Sequence, residues 1–340
     1  MIERLRIFSQ ITHNHFVILN SLQNLKREAE IEDSTKLNEF SVTAYQTKRL
    51  MNKFLIFFLF LTVSLSAQIK GVVKDSLSGE PIPYVNIWVE NEAIGTTSET
   101  DGSFSLEING EKILVFSALG YETKRITSNV QTVVLKPKVM ELKEVVVAIS
   151  KKSKELEIGD SKKIHHSQLS GDKPWIYGKL FKFEKQYEET PFLKKIVFYT
   201  NSEKKNAKLK IRVFDVKDSI PNEDILHEEL IVSVKKGMQK NTIDVSKYNI
   251  LFPEEGVVIG LEWMIIEENK YLFEYKDTKT KKTNSFTTYA PSLVINYSEE
   301  ENSYHFSGGK WWKRSRALSN SGRDWDGKIM TPAINLILTN

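Results

Sequence analysis

From Gln68 to Ile149 apolar and polar residues alternate in short runs separated by turn residues. Ser103-Phe104-Ser105-Leu106-Glu107-Ile108 sets Phe104, Leu106 and Ile108 on one face, the period of two that a half-buried strand requires. Residues 84–89, 113–116 and 130–135 repeat the pattern. Ser76-Leu77-Ser78-Gly79-Glu80 and Asp101-Gly102 are turns, and Asp-Gly is a strong hairpin signal. No helical period is visible. Several short strands at this spacing predict a small antiparallel sandwich over residues 68–149.

Residues 150–173 are rich in Lys, Glu, Ser and Asp and are expected to form a linker or an irregular crossover. From Trp175 the strand pattern returns. Lys208-Leu209-Lys210-Ile211-Arg212-Val213 alternates again, with Leu209, Ile211 and Val213 inward. Residues 196–199, 230–234, 257–266 and 334–338 are further candidates, separated by loops that carry Pro221, Pro253 and a Lys/Thr-rich stretch at 276–283. The expectation for 174–340 is a second all-β domain, a jelly-roll-like sandwich.

Ahead of the first strand lies an export pattern. Met51-Asn52-Lys53 is a basic start, 54–63 an apolar core, and Ser64-Leu65-Ser66-Ala67 a small-residue exit, so 51–67 is expected to be a secretory signal peptide. The alternative is an uncleaved anchor, but the run from Phe54 to Ala67 falls short of the roughly 20 residues that span a bilayer. A signal works at a chain's N-terminus, so residues 1–50 are expected to be an upstream extension beyond the mature fold. Otherwise they form a cytoplasmic tail ahead of an anchor. Membrane contact is expected only through the signal segment before cleavage.

Composition narrows the chemistry. The 340 residues are 40% hydrophobic and 27% charged, as in a soluble globular protein. Residues 1–67 carry eight Lys/Arg and six Asp/Glu, which leaves the rest of a +4 chain nearly neutral and gives no footprint for nucleic acid. There is no cysteine, which excludes disulfides, thiolate metal sites, a cysteine nucleophile and a lipoprotein anchor.

Gly71-Val72-Val73-Lys74-Asp75, Gly79-Glu80-Pro81-Ile82-Pro83, Val85-Asn86-Ile87, Gly95-Thr96-Thr97, Asp101-Gly102-Ser103-Phe104 and Leu119-Gly120-Tyr121 fall in an order that resembles carboxypeptidase-regulatory-like domains. The resemblance implies a transthyretin-like, seven-stranded Greek-key sandwich, similar to copies that precede the plug of TonB-dependent outer-membrane receptors. It therefore implies export into a Gram-negative envelope: periplasm, outer membrane or medium. It implies no peptidase activity, since a His-x-x-Glu zinc motif is missing and residues 68–150 hold no histidine. The stretch after Ile149 is too short for a plug and a 22-stranded barrel.

Catalytic patterns are fragmentary. Gly159-Asp160-Ser161 resembles the nucleophile block of GDSL-type hydrolases, and Asp224-Ile225-Leu226-His227 has their Asp-x-x-His spacing. That motif belongs to an α/β fold, and no helices accompany it here, so a hydrolase using Ser161 and His227 is a minor alternative. Glu188-Glu189, Glu228-Glu229, Glu254-Glu255 and Glu267-Glu268 are adjacent pairs, which point to opposite faces of a strand and are expected on solvated edges. His165-His166 lacks ligand spacing, and Asp324-Trp325-Asp326-Gly327 lacks the closing Glu of a calcium loop, so no metal and no cofactor is expected.

One cluster points to binding. In Lys310-Trp311-Trp312-Lys313-Arg314 two adjacent Trp side chains must face opposite sides of a strand, so one sheet face cannot bury both. Trp311, Trp312, Lys313, Arg314 and nearby Trp325 are the candidate ligand site, suited to sugar rings flanked by anionic groups. The expectation is an exported, non-enzymatic binding or scaffold protein whose partner is a glycan or another envelope protein. A structural part of an outer-membrane receptor or secretion assembly is the alternative.

Overall fold

The computed structural model describes residues 67–138, 154–161, 166–316 and 326–340, together with Ser21. The export segment apart from Ala67, residues 1–50 apart from Ser21, and Trp325 lie outside the described residues. The described residues are nearly all β, and no helix among them is long and apolar enough to cross a membrane.

Seven strands build the first sandwich: Ala67–Asp75 (β1), Asn86–Val89 (β2), Gly95–Thr97 (β3), Ser103–Ile108 (β4), Ile113–Ser117 (β5), Lys124–Thr127 (β6) and Thr132–Leu135 (β7). One sheet runs β4-β1-β7 and the other β3-β2-β5-β6, so the chain crosses between them after β1, β3, β4 and β6. Alternation drives the packing. Phe104, Leu106 and Ile108 of β4 meet Val73, Ile87, Leu114, Phe116, Val133 and Leu135 in a single core. The Asp101-Gly102 turn needs glycine, because Gly102 sits at φ +73° with Val73 O only 2.7 Å from where a Cβ would stand.

The second body uses Glu155–Ile158 (β8), His166–Gln168 (β9), Ile176–Phe181 (β10), Phe192–Ser202 (β11), Ala207–Lys217 (β12), Ile220–Asp224 (β13), Leu230–Val234 (β14) and Gly237–Asp244 (β15). It continues with Val257–Trp263 (β16), Lys270–Lys276 (β17), Thr283–Tyr289 (β18), Ser292–Ser298 (β19), Ser303–Ser307 (β20), Lys310–Lys313 (β21), Ile329–Pro332 (β22) and Ile334–Thr339 (β23). One seven-stranded sheet runs β13-β12-β16-β10-β20-β21 with β14 on β12. The other runs β22-β19-β11-β23-β8, with β15 on β11 and β9 on β19. Tyr177, Phe198, Leu209, Ile211, Val213, Ile259, Leu261, Trp263 and Leu336 fill the space between them.

One expectation changes. Residues 150–173 are not simply a linker: β8 pairs with β23 and β9 with β19, and Ile158 is buried in the second core. A polar composition hides such strands because their stability comes from ladder hydrogen bonds to neighbours far along the chain. The polar face of β12 is covered as well, since Lys210 is fully buried. The first sandwich lies against it.

Candidate functional site

Strand β16 is buried along its whole length because both of its faces are covered. Val257, Ile259, Leu261 and Trp263 belong to the inner core, whereas Val258 packs outward with Ile176, Leu180, Phe214, Val216 and Tyr304. Alternation carries Gly260 and Glu262 to that same outer face. The first sandwich docks on one end of it.

Charged side chains make the joint. Glu262 Oε1 accepts from Asn86 Nδ2, and its Oε2 accepts from Arg212 Nη1 at 2.9 Å, while Arg212 Nε also donates to Asp224. Beside them Lys210 Nζ donates to Tyr84 O at 2.6 Å and to Glu229 Oε1 at 3.1 Å, and Glu229 also accepts from Leu119 N. Burial weakens the Arg212 guanidinium, but the carboxylates of Glu262, Asp224 and Glu229 more than reverse this and raise its pKa. Burial pushes the Asp224 carboxyl up, with Arg212 opposing. Glu229 is also strongly desolvated, yet Lys210 and Arg212 hold it below the usual carboxylate range. Of the adjacent Glu pairs expected on solvated edges, Glu228-Glu229 therefore has one member inside. Backbone contacts continue the joint, with Ile265 N donating to Thr97 Oγ1 at 3.1 Å and Glu267 N to Glu99 Oε1 at 2.9 Å.

Next to this network the two bodies leave a cleft of about 160 Å³. Trp88 and Asn86 come from β2, Phe214 and Arg212 from β12, and Phe306 and Trp311 from the β20–β21 hairpin. Gly178 and Gly260, paired in register, keep the sheet shallow beneath them: a Cβ on Gly178 would stand 3.5 Å from Trp311, and one on Gly260 3.1 Å from Phe214. The rings form an edge-to-face chain. Trp311 meets Phe214 at 5.0 Å and Phe306 at 5.3 Å, and Phe306 meets Trp88 at 6.3 Å. The hairpin turn reaches the first sandwich, with Gly309 beside Trp88 Nε1. Asn86 is buried, and its Oδ1 has no hydrogen-bond partner among the described residues. A buried acceptor without a donor costs about 1–3 kcal/mol, a cost set here by the close packing of the joint.

The sequence-level site residues separate. Trp311 is half-buried in the cleft wall, while Trp312 is 54% exposed on the opposite face, across from His305. Lys313 pairs with Glu301 at 2.8 Å, and the Arg314 guanidinium lies 4.9 Å from the centre of the Tyr177 ring. The residues missed were Asn86 and Trp88. With Val85, Ile87 and Val89 inward, alternation already turned both outward on one strand.

The hydrolase pair does not assemble. Ser161 is buried and donates to Asn335 Oδ1 at 2.6 Å, Asp224 is held by Arg212, and His227 is an exposed loop residue whose carbonyl lies beside Gly120. Among the described residues, no three His, Asp or Glu side chains converge as a metal site.

Residues 69–147 match the family model of the CarboxypepD_reg-like domain, and the first sandwich is such a domain. TonB-dependent receptor P3 of Formosa agariphila is 36% identical over 113 residues, which covers 31% of this chain and 11% of the receptor. TonB-dependent receptor SusC of Bacteroides thetaiotaomicron is 37% identical over 93 residues, covering 26% of this chain and 9% of the receptor. The chain thus spans about a tenth of the length of the curated relatives it matches. Among solved structures, the clostridial cysteine protease Cwp84 after propeptide cleavage covers 76% of this chain and 65% of its own at a TM-score of 0.33 and 11% identity, a level that carries no argument. The chain is an exported envelope protein with a receptor-type first domain.

Proposed function

We propose that this envelope protein is a non-enzymatic binding protein whose cleft between the two sandwiches takes one ring of a neutral sugar. The observation that carries this reading is a cleft in which the rings of Trp88, Phe306 and Trp311 stand beside the polar side chains of Asn86, Arg212 and Glu262. A pyranose has an apolar face that stacks on an indole and hydroxyls that bond with polar side chains. A volume of about 160 Å³ is below that of ordinary small-molecule pockets and suits a single ring. Because Lys313 and Arg314 are occupied by Glu301 and Tyr177, an anionic glycan gains little here.

Calorimetric titration of the exported chain with neutral and anionic oligosaccharides tests this. Trp88→Ala and Trp311→Ala are expected to weaken binding at least about tenfold, consistent with the usual cost of losing a stacked aromatic, while Trp312→Ala leaves it unchanged. If both cleft variants bind as the parent does, or no oligosaccharide binds, the sugar reading is lost.

A scaffold role is the second reading, favoured by the 36% identity over 113 residues to TonB-dependent receptor P3. In that case the chain would co-purify with a receptor or secretion component from envelope fractions. Its isolation without either would count against the role.

A further inference from the structure

Among the described residues, strands β17 and β18 pair only with each other, from Lys270↔Tyr289 out to Lys276↔Thr283. A two-stranded hairpin alone is marginal in water. This one is anchored at its base, where Tyr271 packs on the second core and buried Thr288 bonds with Ser170. Beyond the base it projects. Directly paired residues share a face, so Phe273, Phe286 and Tyr275 follow Tyr271 along one side toward the tip. The Phe273 and Phe286 rings lie 5.4 Å apart and those of Tyr275 and Phe286 6.1 Å apart, while Phe286 is 39% and Tyr275 45% exposed. At the tip, Lys276, Lys279, Lys281 and Lys282 surround a single Asp277. That aspartate is turned into the loop, where it accepts from Lys279 N at 2.8 Å and Thr280 N at 2.6 Å. Among the described residues, none of the four lysines has a carboxylate within ion-pair distance.

We infer that this hairpin is a membrane-surface contact, with the lysine tip on anionic lipid headgroups and the Phe273–Phe286–Tyr275 face bedded in the interfacial layer. Aromatic rings beside long cationic side chains are the chemistry of that layer, where rings sit at headgroup level and lysines reach phosphates. Lysine is a flexible point charge and suits laterally mobile phosphates better than a fixed set of carboxylates. The proposal adds a membrane contact to the one expected of the export segment, and it is independent of the cleft.

Co-sedimentation of the exported chain with phosphatidylcholine vesicles, with and without roughly one-third phosphatidylglycerol, tests it. Binding is expected only with phosphatidylglycerol, weakening as salt rises, and at least about tenfold weaker for the combined Lys279→Glu, Lys281→Glu and Lys282→Glu variant. Phe286→Ser is expected to weaken binding while leaving the salt dependence in place. All four positions are exposed, and circular dichroism checks that the fold is kept. No sedimentation with anionic vesicles, equal binding of the triple variant, or equal binding to both vesicle types overturns the proposal. Hairpin-dependent capture of an envelope protein without vesicle binding also overturns it and assigns the surface to a protein partner.

Discussion

Asn86 of the first sandwich donates its side-chain amide to the Glu262 carboxylate of the second, and Arg212 holds the other oxygen of that carboxylate at 2.9 Å. One buried carboxylate thereby couples two cores that are separate in sequence. Asn86, Arg212 and Glu262 also line the cleft, so the joint and the candidate site are one arrangement.

Glu262→Ala removes the anion that compensates Arg212 and Asn86 together. Breaking a buried pair from one side costs about 3–5 kcal/mol. Denaturant unfolding is expected to show that loss, with the transition of the parent broadening or splitting as the sandwiches uncouple. An unchanged midpoint would mean that the joint is held by its backbone contacts instead.

Lys179 gives a pH signature. It lies between the two sheets of the second body, 5% exposed, with Nζ donating to Ile334 O at 2.9 Å, and burial lowers its pKa from 10.5 to about 8. Below about pH 8 both folded and unfolded chains carry the proton, and the fold bears the full cost of the buried ammonium. Between about 8 and 10.5 only the unfolded chain holds it, so this group makes stability rise with pH across that window. Lys179→Met is expected to stabilise the protein at pH 7 by up to about 3 kcal/mol and to flatten the rise. Unfolding curves collected from pH 7 to 10.5 on both proteins decide it.

The two adjacent tryptophans are expected to differ in stability. Trp311 packs on Phe214 and Phe306, so Trp311→Ala should cost about 2–4 kcal/mol, near the range for large aromatic truncations. Trp312 is 54% exposed, and Trp312→Ala should stay within about 0.5 kcal/mol. Equal losses in thermal or denaturant unfolding would contradict the opposite-face arrangement.

Gly102→Ala places a Cβ at 2.7 Å from Val73 O on a residue with φ +73°. Strain of that kind costs about 1–3 kcal/mol. Gly79→Ala, with nothing within 4 Å of the new atom at φ +73°, bears only the conformational part and is expected to lose less. Matched denaturation curves of the two variants test this ranking.

Alternation along single strands was enough to establish the all-β class and both cores. Phe104, Leu106 and Ile108, and likewise Leu209, Ile211 and Val213, face inward as their spacing requires. The order of Gly and Pro turns was enough to identify the first domain. What alternation cannot show is the cover on the polar face, because side-chain period reports only which residues point together. Nothing in the spacing marks Lys210, Arg212 and Glu262 as enclosed, yet another sandwich, more than a hundred residues earlier in the chain, lies over them. The strands hidden in 150–173 escaped for a related reason, since ladder bonds to β19 and β23 hold them. The sequence by itself determined the strands, their inward faces and the family of the first domain, all of which are set by neighbours a few residues apart. Only the tertiary structure decided that Trp311 meets Trp88 and Asn86 across a cleft while Trp312 turns away, since that depends on two cores docking through a buried carboxylate.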